Sequence, residues 1–345
     1  QIVRLKPNKL ILLELNEFAL YKIYDELITL NKNLIIISLL VNTQDQEKLE
    51  KIFETFNVDT VYHTAAYKHV PLVEENICEG VKNNVFSTLA VAKASVIKKV
   101  SNLVLISSDK AVRPTNIMGA SKRLSELCLQ GIYENTKEII TNFSIVRFGN
   151  VLESSGSVIP KFKDQIKKGG PVTLTHKDVT RYFMTTIEAA QLVIQAGAMG
   201  KNSEVFVLDM GKSVKIIDLI YKMINLSGFT IKDNKNPTGD IEVKIIGLRP
   251  GEKLYEELLI GDNPQKTFHE KIQKAQDPFI PYDQLKIDLD SLSKLIEDNK
   301  ATEVKKMLNK LIPSYQSSSK IVDHIYQDQL NFKNEVKTSY KSTEQ

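Results

Sequence analysis

The chain has 345 residues, with 46 Lys and Arg against 42 Asp and Glu, for a net charge of +4. That balance is too mild to argue for nucleic acid or an anionic membrane surface as a partner. The length suits one large α/β domain with a smaller appendage. Cys78 and Cys128 lie in helix-like segments without CxxC or metal-ligand spacing, and read as small core residues in a reducing compartment. Leu34 to Val41 is apolar but far too short to span a bilayer, and a buried parallel strand is the natural reading. No signal-peptide pattern opens the chain, and its first residue is Gln1 rather than Met.

In chain order, Gln1 to Lys6 reads as the last turns of a helix closed by Pro7-Asn8. Leu10 to Leu13 is a strand ending in Glu14, followed by a helix from Phe18 to Leu30. An acidic residue at the end of the second strand of a dinucleotide fold binds the adenosine ribose hydroxyls. Taken alone, Glu14 has a second, less favoured reading as a surface carboxylate capping that helix. No Gly-rich phosphate-binding turn, GxGxxG or its variants, occurs anywhere in the chain. Leu34 to Leu40 is the next strand, Gln46 to Phe56 a helix, Val58 to Tyr62 a strand and Glu79 to Lys98 a long amphipathic helix. The loop His63-Thr-Ala-Ala-Tyr-Lys68-His69 has small residues, Thr64 to Ala66, where backbone can approach a ligand.

Leu103 to Ile106 is a short apolar run that breaks into Ser107-Ser-Asp-Lys110, so those four residues sit at the carboxyl end of a strand, where open α/β sheets bind ligands. Pro114 and Asn116 make a turn. From Met118 onward Leu124, Leu127 and Cys128 recur at helical spacing, which puts Met118 and Lys122 on one face. Phe143 to Phe148 is a strand ending in Arg147-Phe-Gly-Asn150. From about Ser154 the segments shorten, Gly169-Gly-Pro171 breaks the chain, and two charged loops stand out: Thr180-Arg181 and Leu248-Arg249-Pro-Gly-Glu252-Lys253. Leu285 to Leu311 is helical and charged. After Pro313 the composition turns to Ser, Lys, Gln and Asn and reads as a mobile tail. This divides the chain into 1–153, 154–315 and 316–345.

The run Ser108-Asp-Lys-Ala-Val-Arg-Pro-Thr-Asn-Ile-Met118-Gly-Ala-Ser-Lys122 resembles the extended short-chain dehydrogenase/reductases, whose mark is a strand-end Ser or Thr and then Tyr-x-x-x-Lys. Here Met118 holds the Tyr position, as in the UDP-N-acetylglucosamine 4,6-dehydratases of polysaccharide biosynthesis that carry Met for Tyr. The resemblance runs from about Leu10 to Tyr315. It implies an α/β fold, a Rossmann-type doubly wound parallel sheet whose first strand and Gly-rich turn lie upstream of Gln1, with a smaller C-terminal substrate-binding region. It implies NAD as cofactor, with Glu14 on the adenosine ribose, Asn42 in the place of an acidic residue near the adenine, Ala65, Ala66 and Lys68 along the cofactor, Asn84 supporting that loop and Lys122 on the nicotinamide ribose. It places Asn150, Arg181, Arg249 and Glu252 on the nucleotide sugar, where a planar guanidinium suits a diphosphate.

A 4,6-dehydration oxidises C4, removes the C5 proton, expels the C6 hydroxyl as water and returns the hydride to C6. That needs an acid–base pair beside the sugar, and Asp109-Lys110 supplies one, each correctly placed group being worth roughly 10²–10⁴-fold. Asp109 is expected as the acid at C6 and a candidate for the C4 base, Lys110 as the base at C5 with its pKa lowered by Lys122, and Ser108 as the group that orients the C4 hydroxyl. Met118 transfers no proton. Retention at C5, a cytoplasmic location and a homo-oligomer are expected. No membrane contact is expected from this chain, although such relatives often carry membrane helices ahead of the catalytic region. Surface polysaccharide synthesis, capsule or O-antigen, is the implied setting. A nucleotide-sugar 4-epimerase and an inactive dinucleotide-fold fragment or interaction module stay open as alternatives.

Overall fold

The computed structural model describes residues 1–135, 140–152, 154, 156–257, 264–317 and 320–330. Strand β1 (Lys9–Glu14) runs through helix α1 (Glu17–Leu30) into β2 (Ile35–Leu40), which pairs with it in parallel. Asn16 starts α1 by accepting a hydrogen bond from the Ala19 amide at 2.9 Å, and Asp45 starts α2 (Gln46–Thr55) in the same way through Lys48. Strand β3 (Thr60–His63) then begins a second sheet. The opening segment is a short 3₁₀ turn, Ile2–Leu5.

The expected helix from Glu79 to Lys98 starts earlier and is broken. It comprises α3 (Val70–Glu75), α4 (Ile77–Val81), a π turn at Lys82–Phe86 and α5 (Ser87–Ile97). Ser87 and Thr88 hydroxyls bond back to the Asn83 and Asn84 carbonyls, and Ser125 also donates to Asn84 O, so carbonyls left over by the wider turn find donors. After β4 (Asn102–Ile106) come helix α6 (Ile117–Asn135) and β5 (Asn142–Arg147).

β3, β4, β5 and the strand Glu204–Leu208 are parallel neighbours, and Ile272–Ala275 and Gln265–Lys266 extend the sheet antiparallel. β1 and β2 form a separate two-stranded sheet. The outer edges of β1 and β3 have no strand partner among the described residues.

Two corrections follow for the chain divisions. Residue 153 is not where the layers part. Val205-Phe-Val-Leu208 is apolar on both faces and joins β5, with Phe206 fully buried, while helix Thr186–Met199 packs on one side of the sheet and α5 and α6 on the other, the C-terminal helices lying outside α6 and α4. Only residues 158–184 and 214–256 form a small lobe, with Phe162, Val172, Ile220 and Ile241 in its core. Nor does the tail begin at residue 316. Asp323 is buried and accepts a hydrogen bond from the Ile77 amide at 2.8 Å, and Ile321 and Tyr326 pack on the main core. The expected tail beyond residue 330 lies outside the described residues. The long C-terminal helix is two, Tyr282–Glu297 and Ala301–Leu311, parted at Asn299 with φ 52°.

Below the sheet ends lies a buried ionic cluster. Glu126 of α6 accepts hydrogen bonds from Ser107 Oγ at 2.6 Å, Arg147 Nε at 2.8 Å and Arg123 Nη1 at 2.8 Å, and Asp277 closes the cluster on Arg147. Burial would raise the Glu126 carboxyl, but Arg147, Arg123 and Ser107 outweigh it and hold it down at about 2. Its contribution is therefore present above the ordinary value of 4.5 and is lost as pH falls towards 2. Glu126→Gln should cost about 3–5 kcal/mol, because it leaves the buried Arg147 and Arg123 to share the one carboxylate of Asp277. Urea unfolding across pH should show that loss at neutral pH and a flatter acid limb than the unsubstituted chain.

Candidate active site

The strand end is built by backbone before any side chain acts. The Ser107 amide bonds to Val146 O, and the Asp109 amide to Phe148 O, so the loop after β4 lies beside the end of β5. Ser108 then caps a single 3₁₀ turn, Asp109–Ala111, by accepting a hydrogen bond from the Lys110 amide at 3.2 Å. At the start of α6, Asn116 accepts from Gly119 N at 2.8 Å and the buried Glu74 from Ile117 N at 2.6 Å. A Cβ on Gly119 would stand 2.2 Å from Lys110 O. Only glycine therefore lets the turn carrying Lys110 lie on the helix carrying Met118 and Lys122.

These elements form one wall of a cleft of about 530 Å³ between the sheet ends and the small lobe. Ser108, Lys110, Met118 and Lys122 line it, as do Ala66 and Lys68 from the loop after β3, Asn150 from the end of β5 beside Lys110, and Arg181, Arg249 and Glu252 from across the cleft. Ten of the residues named from sequence thus share one space.

Asp109 lies behind this wall, fully buried. Its Oδ1 accepts from Ser108 Oγ at 2.8 Å and from Lys110 Nζ at 3.0 Å, while Oδ2 makes no hydrogen bond among the described residues. Ser108 and Lys110 therefore stand between Asp109 and the cleft. Lys110 Nζ also lies 3.5 Å from Asn150 Oδ1 and 3.5 Å from Glu256 Oε1. Burial pushes Lys110 down, but Asp109 and Glu256 together outweigh it and leave its pKa above the ordinary lysine value. This overturns the expectation of a lysine lowered by Lys122 and ready as a base: nearby carboxylates make Lys110 a well-held ammonium.

Lys122 behaves in the opposite way. It lines the cleft with no hydrogen-bond or ion-pair partner for its Nζ among the described residues, and burial lowers its pKa to about 8 against the opposing pull of Glu126. His63, at the end of β3, is pushed down to about 3 by burial and then by Lys122, so it is a neutral ring bonded to Thr88 Oγ1 at 3.1 Å. Lys68 is lowered by burial.

Across the cleft Arg181 bonds to the Thr180, Lys253 and Leu254 carbonyls and lies 3.4 Å from Glu252 Oε1. Glu252 accepts from Thr175 Oγ1 at 2.9 Å, which sets the turn that presents the exposed Arg249. Asn84 does hold the loop after β3: it accepts from Tyr67 N at 2.7 Å and donates to Tyr67 O at 3.0 Å and to Ser121 Oγ at 2.9 Å.

Glu14, Asn42 and Ala65 do not line this cleft. The Glu14 carboxylate is exposed and accepts from the Leu15 and Asn16 amides, both at 2.9 Å, and Asn42 Oδ1 accepts from Gln44 N at 3.0 Å. Each stabilises its own turn. Sequence reading missed Glu256, because Glu256-Glu257 looks like a solvated acidic pair, yet Glu256 is buried while Glu257 meets Arg113. It also missed the π turn at Asn84, for which periodicity carries no signal. Among the described residues no cluster of three or more His, Cys, Asp or Glu is placed to hold a metal, and no helix is long and apolar enough to cross a membrane.

A family model described as polysaccharide biosynthesis protein matches residues 1–277. The chain belongs to this family. The capsular polysaccharide biosynthesis protein CapD of Staphylococcus aureus is 46% identical over 279 residues, which cover 80% of this chain and 45% of that protein. The chain thus spans less than half the length of that relative. Among solved structures, Pen from Bacillus thuringiensis superposes with a TM-score of 0.68 at 35% identity, covering 75% of this chain and 78% of that one. DesIV, a dTDP-glucose 4,6-dehydratase from Streptomyces venezuelae with NAD bound, superposes with a TM-score of 0.60 at 20% identity over 76% of this chain and 84% of that one, a likeness of fold.

In this family member the Lys122 charge is expensive when the cleft is empty of ligand. The folded chain gives up the Lys122 proton near pH 8 and the unfolded chain near 10.5, so the cost is present below 8 and is relieved as pH rises to 10.5. Lys122→Met should stabilise the ligand-free protein by about 1–2 kcal/mol at neutral pH. Thermal unfolding between pH 7 and 10.5 should show the gap between the two proteins narrowing.

Proposed function

We propose that this chain carries the catalytic region of a nucleotide-sugar 4,6-dehydratase acting on a UDP-N-acetylhexosamine, UDP-N-acetylglucosamine by first preference, in surface polysaccharide synthesis. The observation that carries the reading is the Asp109–Lys110 contact at 3.0 Å, set in a cleft with one unpartnered lysine on one side and two arginines on the other. A simple dehydrogenase or an epimerase needs one proton acceptor. Elimination of water needs a donor and an acceptor together.

NAD fits the near side of the cleft. The unpartnered Lys122 ammonium suits the nicotinamide ribose hydroxyls, and Ala66, with Lys68 beside it, sits on a loop fixed by Asn84. Glu14, at the end of β1, is assigned to the adenosine ribose, which favours NAD over NADP. When bound, NAD supplies the acceptor and later the donor of the C4 and C6 hydride. Met118 fills its position without acid–base function, so the proton from the C4 hydroxyl passes through Ser108 Oγ to Asp109, 2.8 Å away.

The C4 ketone makes the C5 proton acidic. Asp109, once it has returned the C4 proton to solvent by way of Ser108, is assigned as the base, and Lys110, whose ammonium opens on the cleft, as the acid. The C5–H and C6–O bonds break, the C5–H electron pair forms the C5–C6 double bond, and the C6 oxygen leaves as water with the proton from Lys110. This reverses the roles expected from sequence, because Lys110 is held charged. Arg181 and Arg249 are assigned to the diphosphate, with Asn150 and Glu252 beside them.

Asp109→Asn and Lys110→Ala should each lower water elimination by about 10²–10⁴-fold. The check is mass spectrometry and NMR of UDP-N-acetylglucosamine incubated with NAD and each protein. Loss of water with the C5 configuration kept supports the reading. Conversion to the C4 epimer with no loss of water would make the chain an epimerase, and turnover near the unsubstituted rate in either variant would remove the acid–base assignment.

A further inference from the structure

Lys110 faces charge from three segments. Asp109 belongs to its own turn, and Glu256 comes from the loop following the Arg249–Lys253 turn, with Oε1 3.5 Å from Lys110 Nζ. Arg181 lies on the short strand Thr180–Arg181, and its Nε is 3.7 Å from that same Glu256 oxygen. Lys68, Lys122, Arg249 and Glu252 share the cleft. The Glu256 side chain is 3% exposed, and its second oxygen, Oε2, is buried with no hydrogen bond among the described residues. A carboxylate so placed is a costly way to stabilise a fold, since desolvation offsets most of the attraction in a buried pair. Its ion-pair partners among the described residues, Lys110 and Arg181, both belong to the cleft wall, one on each side.

We infer that Glu256 is a positioning residue that keeps Lys110 an ammonium and ties it to Arg181, so that one buried carboxylate joins the proton donor to the arm assigned to the diphosphate. This rests on the reading of Asp109 and Lys110 as the acid–base pair. Asp109 alone cannot hold the lysine charged throughout the reaction. Once it takes a proton from the sugar its negative charge is gone, and burial then pushes Lys110 towards the neutral form before it has protonated the C6 oxygen. Glu256 is the anion that remains. Its distance from the cleft keeps it from competing for the sugar proton: it lies behind Lys110 and does not line the cavity.

The experiment measures Lys110 itself, in the full chain. Acetic anhydride labelling of lysines as a function of pH, read by peptide mass spectrometry, reports the neutral fraction of each amine. In Glu256→Gln the midpoint for Lys110 should move to lower pH, raising its labelling near pH 8 by about five- to tenfold, the scale of one pKa unit. Lys68 should be unchanged. Glu256→Asp, which keeps the charge but withdraws it, should shift the midpoint the same way by less, and it carries the test if the Gln variant does not fold. A Lys110 midpoint no lower than in the unsubstituted protein, in whichever variant folds, overturns the inference. Where the unsubstituted protein eliminates water from the UDP-sugar, Glu256→Gln should also move the alkaline limb of kcat to lower pH while KM changes less than about twofold. A shifted Lys110 midpoint without any dehydration would sustain the role of Glu256 and remove the proposed reaction. Dehydration with an unshifted midpoint would do the reverse.

Discussion

The carboxylate of Glu126 is the point on which the cleft floor rests. Its oxygens bind the end of β5 through Arg147 and the loop after β4 through Ser107, and Arg147 reaches on to Asp277. Helix α6 is thereby fixed against the carboxyl ends of two strands at the depth where Met118 and Lys122 must project. An apolar contact of the same area would hold the helix without fixing its rotation. A buried carboxylate needing several donors at set angles fixes both, at a desolvation cost that only complete pairing offsets. One turn before it on α6 stands Lys122, and Glu126 is the charge that partly opposes the burial of that lysine.

The two cleft lysines differ for a physical reason. Lys122 projects from a helix with no anion in contact, and burial wins. Lys110 projects from a turn between Asp109 and Glu256, and charge wins. Environments that push two like groups apart assign different tasks to them: one lysine suited to hydrogen bonding near neutrality, the other to carrying a proton. In the proposed reaction that separation matters more because Met118, at the position assigned to the C4 proton, has no acid–base function. The Ser108–Asp109 contact lies beside it and leads from the cleft to a fully buried carboxylate.

The small lobe is an electrostatic part of the site as well as a lid on it. Arg181, Glu252 and Glu256 all come from it, and the Arg181 guanidinium is braced by three carbonyls before any ligand enters. The charge state of Lys110 thus depends on how the lobe sits on the sheet. This is a reason for the Leu248–Lys253 turn to be tethered to the sheet domain, as it is through Asn116 Nδ2 to Gly251 O and Lys253 Nζ to the Val112 and Arg113 carbonyls.

By itself the sequence determined the alternation of strands and helices up to β5, the strand-end placement of Ser108 to Lys110, the shared face of Met118 and Lys122, and the charged loop signatures around Arg181 and Arg249. These are local properties: apolar runs, helical spacing and turn residues act over a few positions, so they are legible without the fold. Tertiary structure decided the rest. That the chain re-enters the sheet at Glu204–Leu208, that Asp323 docks on Ile77, and that Glu126 pairs with Arg147 are contacts between distant segments, and no short-range pattern encodes them. The sign of the Lys110 shift was decided there too. Burial and opposite charge act on a lysine in contrary directions, and which one prevails depends on a carboxylate 146 positions away along the chain arriving 3.5 Å from its Nζ.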